Sequence, residues 1–253
     1  MHLVVCEPWR LVYAPLPKCA STTMISLLVD AGGMPARRGS RDCPRKSVAQ
    51  VGRGAAGVYE VHVAKREIAA VTRRLEAYTW FSVVRDPFSR VESNYHNKLN
   101  RYARRFHPLV YGLAYATPVR PGTSAEAWQA ARIRTMQAVI SFERFVHGLA
   151  RHGVDWDPHF APQTHVLELD RVRFDRLIAM ERLAEGLESL FRSIGRLGAV
   201  RPALESLGRH NASRSAESRT QWTPDLREIV ADLYHDDFSR LAAAAGQPRR
   251  RAA

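Results

Sequence analysis

Two short apolar runs each end in a cluster of cationic and hydroxyl residues that opens a helical pattern. This repeated strand-to-helix hand-over limits the fold more than any other feature of the chain. The first is Tyr13-Ala-Pro-Leu-Pro-Lys-Cys-Ala-Ser-Thr-Thr23, and the second is Trp80-Phe-Ser-Val-Val-Arg-Asp-Pro-Phe-Ser-Arg-Val-Glu-Ser93. A helix start presents backbone N–H groups and the positive end of the helix dipole, so cations and hydroxyls placed there make an anion site. Two such sites in one fold imply a ligand with two separate phosphate-like groups. Strands alternating with helices predict an α/β fold.

The pattern predicts a strand over residues 10–14, stopped by Pro15 and Pro17, and a helix over 21–31 ending in Gly32-Gly33. Residues 34–56 read as a long basic loop, 58–63 as a strand and 64–75 as a helix. A second buried strand over 78–84 leads to a helix opened by Pro87. One helical pattern runs over 124–150, followed by an irregular stretch at 155–164. A strand at 173–180, a helix at 183–194 and a loop-rich stretch at 195–223 come next. A last helix over 224–241 starts at Thr223 as N-cap. Residues 1–246 are expected to form one domain, and 247–253 a basic, disordered tail.

Lys and Arg outnumber Asp and Glu by 38 to 25, a formal net charge of +13. That favours polyanionic partners, although a solvated basic surface has the same composition. Cys6, Cys19 and Cys43 form no C-x-x-C pair and no metal-ligand spacing, so reduced thiols and a cytoplasmic location are expected. No apolar stretch approaches the ~18 residues of a membrane helix.

Lys18 stands before the turn, and Ser21, Thr22 and Thr23 follow it. A Walker A loop needs G-x-x-x-x-G-K-[ST], and its glycines are missing here. A shorter loop with its lysine in front suits a single phosphate ester or phosphosulfate; the same residues also suit a capped helix beside a surface lysine. Arg85 and Ser93 are eight residues apart, across a turn and about two turns of helix. They are placed to converge on one phosphate, with the arginine giving charge-assisted donors. Pairing of Arg85 with Asp86 is the plainer alternative.

Taken in this order, the two motifs make the chain similar to the sulfotransferase superfamily, specifically the carbohydrate sulfotransferases near the chondroitin and dermatan 4-O-sulfotransferases. Pro17-Lys18-Cys19-Ala20-Ser21-Thr22 resembles the family's P-K-x-x-[ST]-[ST] segment. Phe81 to Lys98 resembles F-x-x-V-R-[DE]-P-F-x-R-[LV]-x-S-x-[YF]-x-x-K nearly position by position. Weaker similarity continues through Phe142 to Phe145, Asp157-Pro-His-Phe-Ala-Pro-Gln163, Ile178 to Leu190, Asn211-Ala-Ser-Arg-Ser215 and Tyr234-His-Asp-Asp-Phe238. Met180 and Gly186 depart from the family's pattern.

The resemblance implies a P-loop-NTPase-like three-layer α/β/α fold with a central, mostly parallel sheet. It implies sulfuryl transfer from 3′-phosphoadenosine 5′-phosphosulfate (PAPS), without a metal. The acceptor is a glycan or a hydroxylated small molecule, anionic or neutral; neither nucleic acid nor a membrane span is expected. Lys18, Cys19, Ala20, Ser21, Thr22 and Thr23 would hold the 5′-phosphosulfate, with Lys18 stabilising the leaving group. Arg85 and Ser93 would hold the 3′-phosphate, joined by Arg214. His62 is the first candidate for general base, followed by Glu60 and then His159. Trp156 and Trp222 are placed either to stack on a sugar or to pack internally. The basic stretch 37–46 and Arg101, Arg104 and Arg105 either line an acidic acceptor groove or are solvated. Two other classes fit parts of the pattern: a non-catalytic polyanion binder and a P-loop-like nucleotide kinase.

Overall fold

The computed structural model describes residues 1–31, 43–52, 57–116, 118, 122–211 and 220–244. In chain order the elements are β1 (His2–Cys6), β2 (Leu11–Tyr13), α1 (Ser21–Ala31), β3 (Val58–His62), α2 (Ile68–Arg74), β4 (Thr79–Val84), α3 (Pro87–Phe106), α4 (Pro108–Ala116), α5 (Ala125–Gln137), α6 (Phe142–His152), α7 (Gln163–Val166), β5 (Arg176–Ala179), α8 (Leu183–Ser193), α9 (Leu197–Asn211), α10 (Pro224–Leu233) and α11 (His235–Ala244). They fall into two compact units. One comprises Met1–Asp86, Gln163–Ser218 and Asp236–Ala253, and the other Pro87–Pro162 and Arg219–His235.

The first unit is built on a five-stranded sheet of order β3-β1-β2-β4-β5. β2 pairs in parallel with β4, and β4 with β5. β1 runs antiparallel to both β2 and β3. Four strands therefore point one way, and the fifth, β1, runs against them inside the sheet. β1 is not among the strands expected from the sequence, because it leads into a tight turn and not into a helix. Leu3 to Cys6 are all buried, as are Leu11 to Tyr13, so both faces of these strands are covered. A tight turn at Glu7–Trp9 joins β1 to β2 and closes with Arg10 at a positive φ of 45°. Glu7 anchors that turn by accepting the hydroxyls of Tyr59, at 2.6 Å, and Tyr78.

β3 lies at the sheet edge, but a short segment covers it. Glu60 N–H donates to Pro44 O at 2.8 Å, and Lys46 N–H donates to Glu60 O at 2.9 Å. Pairing of this kind blunts an exposed edge. The carboxyl ends of β2, β3, β4 and β5 all emerge on one side of the sheet. Around it pack Leu28 and Met24 of α1, Leu187, Leu190 and Phe191 of α8, and Val200 of α9. Helix α9 replaces the loop expected after residue 195; Pro202 stands inside it, and Gly195, Gly198 and Pro202 had masked its apolar spacing.

The second unit is helical. Val91, Tyr95, Leu99 and Tyr102 of α3 are buried, as are Phe145, Val146 and Leu149 of α6. The Tyr102 and Phe145 rings meet edge-on at 5.1 Å. Gly148 is required there, because a Cβ would overlap the Tyr102 hydroxyl. The single helix expected over 124–150 is two: Ser141 accepts Arg144 N–H at 3.2 Å and caps α6 afresh. The helix expected over 224–241 also divides, at Tyr234, whose buried hydroxyl donates to Phe160 O at 2.7 Å. Arg90, buried within α3, donates to Ala161 O at 2.8 Å and to Pro158 O at 2.9 Å, fixing the chain segment that carries His159.

Cys6, Cys19 and Cys43 are free and buried. Burial pushes the Cys6 thiol up to about 11 and the Cys43 thiol up to about 12, so neither is a reactive thiolate. Among the described residues no helix is long and apolar enough to cross a membrane.

Candidate active site

At the carboxyl end of β2 the chain enters the first of the two strand-to-helix loops. Ala14 N–H donates to Phe81 O at 3.0 Å, and the buried Ser82 hydroxyl donates to Ala14 O at 2.7 Å. Pro15 and Pro17 then end the ladder, since neither supplies an N–H. Cys19 N–H turns back to Leu16 O at 3.3 Å. Lys18 has φ 69° and Ala20 has φ 54°, both in the left-handed region. For residues with a Cβ each such position costs ~1–2 kcal/mol. Strain of this sort persists where the surroundings impose it and concentrates at functional sites. The loop thus achieves without glycine the alternating backbone that a phosphate cradle needs.

Helix α1 starts directly after it. Met24 N–H bonds to Ala20 O at 3.0 Å, so Ala20 is the capping residue and brings no side-chain acceptor of its own. The Ser21, Thr22 and Thr23 positions are the first three of the helix, where N–H groups have no intrahelical partner. Thr22 and Thr23 are exposed, and Lys18, Ala20 and Ser21 are half-buried. Cys19 points the other way. It is fully buried, with its Sγ 3.5 Å from Gln163 Oε1 and 3.6 Å from Pro17 O.

Arg85 leaves the carboxyl end of β4, the next strand of the sheet. Its guanidinium donates to Lys18 O at 3.3 Å, which ties the two loops at the strained residue. Gln163 holds Arg85 at its backbone: Oε1 accepts Arg85 N–H at 2.9 Å, and Nε2 donates to Arg85 O at 2.7 Å. Gln163 is held in turn by Asp237, whose Oδ2 accepts Gln163 N–H at 2.8 Å and Nε2–H at 3.2 Å. Asp237 Oδ1 accepts both N–H and hydroxyl of Thr164, at 2.9 and 3.0 Å. All three side chains are fully buried. This network was the main site feature that sequence reasoning missed. Gln163 and Asp237 sit in the weaker family segments, and nothing in their spacing showed that they would meet.

His62 ends β3 on the same side of the sheet as both loops, with β1 between it and β2; at strand spacing that is about 10 Å. It is exposed and stacks on the His2 ring at 4.6 Å. Glu60, one turn of the pleat earlier, is mostly buried, with Oε2 3.7 Å from His2 Nε2 and 3.8 Å from Arg45 Nε. Arg214 lies outside the described residues, as do residues 37–42 of the basic stretch. Of the rest of that stretch, Arg45 pairs with Glu60 and Lys46 sits over the Tyr59 ring at 4.3 Å.

In the helical unit Ser93 is half-buried, about two turns into α3. His159 Nδ1 lies 2.7 Å from Asp157 Oδ1, and Arg101 Nη1 lies 3.0 Å from Asp157 Oδ2. Burial opposes ionisation of Asp157, but hydrogen bonds from the His159 ring and backbone outweigh it and hold the carboxyl well below its usual range. Burial lowers His159 despite the attraction of Asp157. Both native groups therefore bind fewer protons than the unfolded chain in mild acid. Stability is present above about pH 6.5 and drains as pH falls, first through His159 and then through Asp157. Urea midpoints at pH 7.5 and 5.5 are expected to differ less in His159→Gln than in the wild type; equal differences would refute the assignment. Trp156 and Trp222 are half-buried against aromatic neighbours: Trp156 meets Phe106 at 5.1 Å, and Trp222 meets Phe142 at 4.9 Å. Arg105 lies 5.1 Å from the Trp156 ring centre.

A strained, glycine-free loop after β2 and an arginine-bearing loop after β4 thus meet at the carboxyl ends of adjacent parallel strands. Residues 1–242 match the model of the Sulfotransferase family, and the chain belongs to that family. Among curated proteins it is 30% identical over 159 residues to carbohydrate sulfotransferase 11 of Rattus norvegicus, covering 62% of this chain and 40% of that protein. The Mus musculus protein of the same name matches equally. Carbohydrate sulfotransferase 9 of Homo sapiens is 24% identical over 179 residues, 68% of this chain and 39% of that protein. The chain thus spans about two-fifths of the length of these relatives. No solved structure matches it.

Proposed function

We propose that the chain transfers a sulfuryl group from PAPS to a hydroxyl of a carbohydrate or glycan-like acceptor by in-line displacement. The observation that carries this reading is the glycine-free loop with left-handed Lys18 and Ala20, tied through Lys18 O to the guanidinium of Arg85. Its donor set fits a phosphosulfate: one ammonium, three hydroxyls and the start of α1. PAPS supplies an activated sulfuryl group on a phosphate leaving group. Lys18 stabilises the charge that develops on the leaving oxygen, helped by Ser21, Thr22, Thr23 and the loop backbone. Fixed cations do this without reorganising at the moment of reaction.

The motif assigns the 3′-phosphate to Arg85 and Ser93, with Arg214 as a further ligand. His62 takes the proton of the acceptor hydroxyl, a step worth roughly 10²–10⁴-fold. Its support is position: it ends a strand on the same side of the sheet as both loops. Relatives named as carbohydrate sulfotransferases support a glycan acceptor. The reading takes residues 1–246 as one sulfotransferase domain with a P-loop-like layered arrangement, working in the cytoplasm.

Calorimetric titration with 3′-phosphoadenosine 5′-phosphate, the desulfated product, tests the reading. Micromolar binding is expected for the wild type, with a loss of about tenfold to a hundredfold in Arg85→Ala, the scale of one charge-assisted contact. A folded protein that does not bind would overturn the proposal.

A further inference from the structure

Away from the anion loops, β1 and β3 bring two imidazoles and a carboxylate together. Strand pairing sets His2 opposite His62 and Val4 opposite Glu60. Directly opposed residues share a sheet face, and so do residues two apart on one strand. His2, Glu60 and His62 therefore stand on one side. One ligand atom from each lies within 4.8 Å of the others.

The His2 ring is the telling member. Its Nε2 is buried and has no hydrogen-bond partner among the described residues. It stands 3.7 Å from Glu60 Oε2, too far for a hydrogen bond. An unsatisfied buried nitrogen costs ~1–3 kcal/mol, so a buried ring nitrogen left facing a carboxylate asks for something between them. Burial, followed by the neighbouring His62 and Arg45, holds His2 down to about 4. A neutral imidazole is the form that ligates metals.

We propose that His2, Glu60 and His62 form a binding site for a divalent transition-metal ion, with Zn²⁺ as the best-fitting occupant. Two imidazoles and one carboxylate suit zinc in tetrahedral geometry and leave a fourth position open. Magnesium and calcium prefer all-oxygen shells and are disfavoured. Metal bonds of ~2.0–2.1 Å bring tetrahedral ligand atoms to about 3.3 Å from each other, so the trio has to close in. His62, exposed and stacked, does this by turning its ring. Arg45, the present neighbour of Glu60, has a side chain 79% exposed and swings into solvent. A further consequence rests on the sulfotransferase reading: an ion on His62 occupies the lone pair needed to take the acceptor proton, so zinc inhibits turnover.

The test is calorimetric titration of the chelator-treated full chain with Zn²⁺, and absorption titration with Co²⁺, beside His2→Ala, Glu60→Gln and His62→Ala. One equivalent is expected to bind, unaffected by excess Mg²⁺, with each variant weakened at least about tenfold for the loss of one ligand. Circular dichroism checks folding, and His62→Ala, which trims an exposed side chain, keeps the test decisive if His2→Ala does not fold. Absence of stoichiometric binding, or equal binding by folded variants, overturns the site. Nucleotide titration in parallel separates the two readings, because metal binding without nucleotide binding sinks the sulfotransferase proposal and leaves the metal site standing. Unchanged turnover at zinc saturation overturns the inhibitory consequence alone.

Discussion

Lys18→Ala is expected to lower kcat on the order of 10²–10³-fold, the usual loss when a donor to developing transition-state charge is removed. Binding of 3′-phosphoadenosine 5′-phosphate should weaken far less, because the helix start, the hydroxyls and Arg85 remain. The backbone argument makes this substitution clean. Alanine and lysine bear the same Cβ at φ 69°, so the cost of the left-handed conformation is unchanged while the ammonium is lost with its methylene stem. Single-turnover kinetics at saturating donor give the answer. A variant with near-normal turnover would remove Lys18 from the chemistry and leave the loop as a plain anion cradle.

Asp237→Ala carries the largest expected loss of stability, on the order of 3–5 kcal/mol, because several buried donors lose their acceptor together. Gln163 N–H and Nε2–H, Thr164 N–H and the Thr164 hydroxyl all converge on this carboxylate. Gln163 is the side chain that holds Arg85 by both its N–H and its C=O. Releasing it should therefore also weaken nucleotide binding in the folded fraction, although Asp237 lies one residue removed from the loop. Asp237→Asn is expected to be intermediate, since its amide still accepts at one oxygen but turns a donor toward the other N–H groups. Urea unfolding measures the first effect and calorimetry the second. A loss below about 1 kcal/mol in Asp237→Ala would show that the network is dispensable.

Much of the sheet was legible from local pattern. The runs at 58–62 and 79–84 combine β-branched and aromatic residues with clear stops, and Pro87 announces α3. Helix α1 runs from Ser21 to Ala31, the span that its apolar spacing predicts. The misses have specific causes. β1 leads into a tight turn, so the strand-to-helix pattern does not mark it, and its pairing with β2 and β3 places it in the sheet. Ser141 and Tyr234 interrupt helical patterns whose apolar spacing runs on across the break, so periodicity alone joined what the chain divides. Helix α9 carries a proline and two nearby glycines, and packing of Val200 and Leu204 overrides that local preference.

The sequence by itself determined the two strand-to-helix loops, because their pattern is local: a strand end, a cation and a helix start lie within a dozen residues. Family membership followed from the same two segments. Only the tertiary structure decided that Lys18 and Ala20 adopt left-handed backbone without glycine, since that strain is held by contacts from Arg85 and Gln163. It alone brought Gln163 to Asp237 across 74 residues of chain, and His2 to His62 across the β1–β3 pairing. Side-chain type sets what a residue can do, and strand register and burial set which residues it meets.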